Sequence, residues 1–201
     1  MATKFTEKEM ADIHAKLKES AQKCVSTIGM RKTTVDDLCD YAGISKGAFY
    51  KFYESKEALF FEILEEWHTL MYGHVLAILV DTGEASDKER VRKALLFACS
   101  AFSEHSMSGF YENDVPSLLR KMPQEVLDAH YHSDEKHVAD LIKASGIKLK
   151  VSSKLAAAAV RTLILSFSDH DHIGPLYHQV MELFIRSVCE QIVFSDEKSN
   201  G

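Results

Sequence analysis

The stretch Thr33–Lys56, TTVDDLCDYAGISKGAFYKFYESK, constrains this chain more than any other, because its helix starts and stops are encoded in adjacent residues. Thr34 followed three residues later by Asp37 is a capping-box pattern, in which hydroxyl and carboxylate satisfy backbone N–H groups reciprocally. Leu38, Cys39 and Ala42 give the helix that follows an apolar face. Gly43 suits the left-handed position that closes a helix, since it has no Cβ to clash. Ile44 fills the turn, and Ser45 caps a second helix, read as Lys46 to Tyr53. That helix opens with a lysine and two small residues and then carries the aromatics Phe49, Tyr50, Phe52 and Tyr53. Two helices around a short glycine-containing turn form the helix-turn-helix pattern, whose second helix enters a DNA major groove.

The remaining sequence reads as helices that support this unit. Residues 6–28 form the first, with Thr6 and Glu9 as a capping box and Ile13, Leu17, Ala21, Cys24, Val25 and Ile28 on one stripe. A long helix starts at Ser55 and runs to about Val80, with Leu59, Phe60, Ile63, Leu64 and Trp67 among its apolar positions. Further helices are expected over about 87–105, after Pro116, over 123–145, over 153–168 and over 175–194, with an irregular stretch at 106–114. The last helix carries two apolar faces, one with Leu176, Val180, Leu183 and Phe184, the other with Met181, Ile185, Cys189 and Val193. A terminal helix of that kind needs its own domain on one side and a second copy of the chain on the other. The expected architecture is all-α, with about nine helices: a helix-turn-helix domain over 1–54, a helical dimerisation domain over 55–194, and a disordered tail over 195–201.

Charge is distributed unevenly. The net charge is −6, yet residues 1–56 hold ten Lys/Arg against eight Asp/Glu, so the deficit lies entirely in the remainder. Arg31, Lys32, Lys46, Lys51 and Lys56 flank or sit on the second helix of the motif, where a DNA-binding surface needs them. The four cysteines, Cys24, Cys39, Cys99 and Cys189, form no CxxC spacing and are read as buried free thiols. No apolar run reaches the length of a membrane span, and MATKFTEKEMADIH lacks a signal-peptide core, so a cytoplasmic protein is expected.

GISKGAFYKFYESKEALF, preceded by TTVDDLCDYA, resembles the N-terminal domain of TetR-type (tetracycline-repressor-like) transcriptional regulators, over about residues 8–64. The resemblance implies that the chain binds double-stranded DNA at an operator, represses transcription and is released by a small-molecule effector. It also implies a homodimer formed through the eighth and ninth predicted helices. Carried over by position, it implies that Thr34 and Ser45 bind phosphate at helix starts and that Lys46, Gly47 and Ala48 face base edges. Tyr50 would reach the DNA backbone, Lys51 bases or phosphate, and Lys56 a phosphate. Phe49 and Tyr53 would be core. The sequence departs from the family at Phe52, where histidine or tyrosine is usual, at Tyr53, usually phenylalanine, and at Cys39, usually alanine.

In the helical domain such regulators sense an effector. The candidate contacts are the large apolar or mixed-polarity residues Trp67, Met71, Phe97, Phe102, Phe110, Tyr111, Met122, His130 and Phe167. Ten histidines are present, and His130-x-His132 and His170-Asp171-His172 raise a metal- or haem-responsive regulator of the same fold as an alternative. A helical enzyme or interaction module without DNA binding is the other alternative. No glycine-rich phosphate loop, G-x-S-x-G elbow or H-E-x-x-H pair is present, so the chain is not read as an enzyme. No catalytic residue, metal ligand or cofactor is assigned, and no membrane partner is expected.

Overall fold

The structure, a computed structural model, describes residues 5–83, 86–104, 109–166 and 170–194, with the backbone alone at 101–104, 170 and 171. Most of the described residues are helical. In chain order the helices are α1 (Glu7–Thr27), α2 (Val35–Ala42), α3 (Lys46–Phe49), α4 (Lys56–Val80), α5 (Asp87–Glu104), α6 (Val115–Leu119), α7 (Gln124–Ser145), α8 (Ser153–Leu165), α9 (His170–Ile173) and α10 (Tyr177–Ile192). The chain divides into two compact units, one of residues 1–67 and 106–122, the other of 68–105 and 123–201. Residues 109–122 cluster with the helix-turn-helix residues in the first unit.

In the first unit, α1 packs on α2, which packs on α3. Leu17, Ala21 and Val25 of α1 are buried, together with Leu38, Cys39 and Ala42 of α2 and Phe49 and Tyr53 beyond. Leu59, Phe60, Ile63 and Leu64 of α4 complete this core with Phe110 and Leu118. Each large apolar side chain so buried contributes about 1.5–3 kcal/mol. Residues 110–114, read from sequence as irregular, form one π-helical turn that leads directly into α6.

In the second unit, α7 packs on α8, and α10 packs on α5 and α8. Val91, Ala94, Leu95 and Ala98 of α5 meet a core that includes Ala156, Ala157 and Leu163 of α8 and Met181, Ile185 and Cys189 of α10. Small residues on α8 let its neighbours approach closely. The final helix starts later than its sequence suggests. Pro175 lies in a 3₁₀ turn, Gly174–Leu176, that follows the short α9, and α10 begins only at Tyr177. An isolated antiparallel bridge, Leu149 to Val193, joins the α7–α8 connection to the end of α10. The predicted tail over 195–201 lies outside the described residues. Among the described residues, no helix is long and apolar enough to cross a membrane.

Candidate nucleic-acid interface

The motif is set by its caps. The Thr34 hydroxyl accepts from Asp37 N–H at 3.1 Å, and the Asp37 carboxylate accepts from Thr34 N–H at 2.8 Å and from its hydroxyl at 2.7 Å. These bonds to Thr34 hold the Asp37 carboxyl below the usual carboxylate range. Gly43 sits at φ 69°, the left-handed region, and ends α2. The Ser45 hydroxyl then accepts from Ala48 N–H at 3.2 Å and starts α3.

The regular α-helix of α3 stops at Phe49 rather than at Tyr53. The physical reason is a mixed bonding pattern. Phe49, Tyr50 and Tyr53 N–H groups reach four residues back, whereas Ala48, Lys51 and Phe52 N–H groups reach three. The turning path continues to Tyr53 but is tightened at Lys51 and Phe52, as at the ends of short helices.

This geometry sorts the side chains. Ser45, Lys46, Gly47, Tyr50 and Lys51 are exposed, as is Thr34 at the start of α2. Ala48 and Phe49 are buried, so the Ala48 methyl sits with the core-facing side of the helix in this structure. Tyr50 is 52% exposed, and its ring meets the Phe49 ring edge-on at 5.4 Å, which fixes its direction. Lys46 pairs with Asp36 at 3.1 Å, and that carboxylate raises the lysine's pKa. Lys51 Nζ lies 5.3 Å from the Phe5 ring centroid, and Phe52 packs against the same ring at 6.4 Å. Phe52 is thus an apolar contact to the residue that precedes α1.

Lys56 is half-buried, and its ammonium donates to the carbonyls of Met30 at 2.9 Å, Thr33 at 2.5 Å and Arg31 at 3.4 Å. It pins the turn that joins α1 to α2. The same turn is held from the other side by Asp114, a buried carboxylate at the end of the π-helical turn, which accepts from Met30 N–H at 2.7 Å. Gly29 has φ +78°, and a Cβ there would stand 3.0 Å from the Asp114 carboxylate, so the site needs glycine on two counts. The Arg31 guanidinium donates to the Asn113 carbonyl. Asp114 was not singled out by sequence reasoning, and nothing in its spacing pairs it with residue 30.

Tyr53 has a specific role. Its hydroxyl donates to Glu62 at 2.7 Å, and its ring stacks on His14 at 5.6 Å. Burial, with the Glu62 carboxylate, pushes its pKa up. His14 and Lys18 also meet Glu62, and Lys18 meets Glu66 at 2.5 Å. Phenylalanine at residue 53 could not join this network.

The candidate effector contacts divide between the units. Trp67 and Tyr111 lie 4.8 Å apart in the first unit, beside a fully buried Phe110 that packs on Phe60 at 6.2 Å. Met122 is half-buried in the same unit. Met71 and Phe97 are half-buried in the second unit, where Phe97 stacks on His74 at 5.8 Å and the buried His130 stacks on His68 at 5.3 Å. The Phe102 side chain and Phe167 lie outside the described residues. His130 and His132, two apart on α7, are respectively buried and exposed, so they do not converge. The side chains of His170 and Asp171 lie outside the described residues.

Residues 19–63 match the family model described as bacterial regulatory proteins, tetR family. The HTH-type transcriptional regulator YuxN of Bacillus subtilis is 32% identical over 136 residues, covering 63% of this chain and 44% of that protein. The chain thus spans less than half the length of the curated relatives it matches. Among solved structures, a TetR-family transcriptional regulator from Pectobacterium atrosepticum superposes with a TM-score of 0.65 at 21% identity, over 92% of this chain and 94% of that one. The regulator FadR from Bacillus subtilis, solved in complex with stearoyl-CoA, superposes with a TM-score of 0.52 at 15% identity, over 86% of this chain and 97% of that one. The capped, lysine-bearing helix-turn-helix thus matches the tetR family of bacterial regulatory proteins over residues 19–63, and the chain shares the all-helical fold of solved TetR-family regulators.

Proposed function

We propose that this protein is a transcriptional repressor that occupies a DNA operator as a homodimer and leaves it when a small molecule binds its second unit. The observation that carries the DNA reading is the exposed set Ser45, Lys46, Gly47, Tyr50 and Lys51 on a capped helix with a buried opposite face. Thr34 and Ser45 place hydroxyls at helix starts, where backbone N–H groups and the helix dipole favour phosphate. Lys46 and Gly47 face base edges, Tyr50 and Lys51 reach the backbone, and Lys56 holds a phosphate at the start of α4. A protein seated in two major-groove half-sites excludes other proteins from the same DNA, which is the physical basis of repression.

Dimerisation runs through α8 and α10. Leu183 and Phe184 are 61% and 52% exposed on one side of α10, and Leu165 of α8 and Leu176 just before α10 are also exposed. Met181, Ile185 and Cys189 fill the opposite side of α10, so the outer side is available to a second copy. For the effector, Met71, Phe97 and His130 of the second unit offer apolar surface with one polar ring, a composition common in small-molecule sites. FadR, whose fold is similar, is described with a long-chain acyl thioester.

A gel shift with the DNA upstream of the protein's own coding region tests the reading. A retarded band at low salt that weakens as salt rises supports it. A folded dimer that leaves this DNA unshifted at low salt refutes it.

A further inference from the structure

Two exposed lysines of the helix-turn-helix are held by different chemistry. Lys46 Nζ lies 3.1 Å from the Asp36 carboxylate, which offsets its charge on the face proposed for DNA. Lys51 Nζ lies 5.3 Å from the centroid of the Phe5 ring, within the ~6 Å reach of a cation–π interaction. An aromatic ring attracts an ammonium through its quadrupole and leaves the positive charge in place. Lys51 therefore keeps its charge for a further partner, whereas Lys46 must first give up a carboxylate.

The Phe5 ring is fixed from two sides. Phe5 immediately precedes Thr6, whose backbone N–H and hydroxyl each donate to the Glu9 carboxylate at 2.8 Å in the capping box that starts α1. Phe52 packs against the Phe5 ring at 6.4 Å, with 41° between the planes, and both residues are half-buried. Phe52 has no polar atom with which to meet a phosphate, so its contribution is to hold Phe5. Lys51 follows Gly47 by four residues, which puts the two on one face of the turn. A Cβ at Gly47 would meet nothing nearer than the Ser45 hydroxyl at 4.0 Å, so that face is open to close approach. All of these residues belong to the first unit.

We propose that Phe5 is a positioning residue for DNA binding: its ring holds the Lys51 ammonium, charge intact, beside the open surface at Gly47, where the ammonium meets a backbone phosphate. The proposal rests on the operator-binding reading above. A free lysine side chain loses rotamer freedom when it settles on a phosphate, and a ring that already confines it removes part of that cost before binding. The ring takes one side of the ammonium and leaves N–H donors for the phosphate. Phe5 thus acts through Lys51 and needs no contact with DNA of its own.

The test measures affinity for a duplex from upstream of the protein's own coding region, by fluorescence anisotropy over a range of salt. Wild type is compared with Phe5→Leu, Phe5→Tyr, Lys51→Gln and the Phe5→Leu/Lys51→Gln double variant. Leucine keeps an apolar contact to Phe52 but removes the π face. Phe5→Leu is expected to weaken binding about two- to fivefold with the salt slope unchanged, because Lys51 still reaches the phosphate. Phe5→Tyr should restore wild-type affinity. Lys51→Gln should lower the slope by about one ion, and adding Phe5→Leu to it should have no further effect. A purely structural role for Phe5 would instead cost the same affinity with and without Lys51. In the DNA-free protein, the Lys51 Hε protons should resonate upfield under the ring current of Phe5 and return to ordinary values in Phe5→Leu. Wild-type affinity in Phe5→Leu, an equal loss in the Lys51→Gln background, or ordinary Hε shifts in the wild type overturns the proposal and leaves operator binding standing. Failure of the wild-type chain itself to bind the duplex sinks the operator reading, and the role of Phe5 with it.

Discussion

Asp114→Ala is the substitution whose cost follows most directly from the structure. The Asp114 carboxylate is 3% exposed and accepts from the N–H of Met30, a residue that is itself 1% exposed. A hydrogen bond to a charged acceptor contributes about 1.5–3 kcal/mol, and a buried donor left without one costs a similar amount. These are two descriptions of a single loss, so they are not added. Arg31 lies 3.7 Å away but is 63% exposed, and its pairing with Asp114 contributes little after solvent screening. The expected destabilisation is about 2–3 kcal/mol for Asp114→Ala. It is about 1 kcal/mol for Asp114→Asn, which keeps a neutral oxygen acceptor.

Gly29 supplies the internal check. Gly29→Ala forces a side chain into φ +78° and places a methyl 3.0 Å from the Asp114 oxygen. The first effect costs about 1–2 kcal/mol wherever it occurs, but the second exists only while the carboxylate is present. The double substitution should therefore be less destabilising than the two single losses together, by more than the ~0.5 kcal/mol within which independent sites add. Urea unfolding followed by the fluorescence of Trp67, the only tryptophan, reads the unit that contains both residues. Asp114→Ala within 0.5 kcal/mol of the wild type, or strict additivity with Gly29→Ala, would refute the reasoning.

Three further outcomes are expected. The Asp37 carboxyl is held below its usual range, so its contribution is complete above the unfolded carboxylate pKa and disappears as pH falls through the lowered value. Thr34→Ala should flatten that part of the pH–stability profile in acid melts, and an unaltered profile would separate Asp37 from the cap. Asp36→Asn frees Lys46 from its 3.1 Å partner and removes a negative charge from the proposed DNA face. Fluorescence anisotropy should then show operator affinity rising roughly two- to fivefold at low salt and converging with wild type at high salt, and a fall in affinity would mean Asp36 contacts DNA favourably. Burial pushes the thiols of Cys99 and Cys189 up to about 11, so neither should react with a thiol reagent at pH 8 in the folded protein, whereas both should after unfolding.

How much of this was legible in the sequence depended on the range of the interactions. Thr34, Asp37, Gly43 and Ser45 act on backbone groups within three or four residues, so their roles could be read directly. The same is true of Thr6 with Glu9 at the start of α1. Tyr53 was read as a plain core substitution because its partners, His14 and Glu62, come from different helices. Asp114 meets Met30 across 84 residues, and only the three-dimensional arrangement reveals why Gly29 must be glycine. The end of α3 was overrun because apolar periodicity is nearly the same whether N–H groups reach back three residues or four. On the last helix, Met181 and Ile185 were legible as one face and Leu183 and Phe184 as another, but not which of the two turns inward.

Lys56 has a consequence for how its variants are interpreted. Its ammonium gathers the carbonyls of residues 30, 31 and 33, so it acts as a keystone for the bend that aims α2 and, through it, α3. Acetylation, or replacement by a neutral residue, strips that bend of its cation before any nucleic acid arrives. A lowered operator affinity alone therefore does not identify a phosphate contact at this residue. The salt dependence separates the two effects: a lost contact reduces its slope by about one ion, whereas a loosened bend lowers affinity and leaves the slope unchanged.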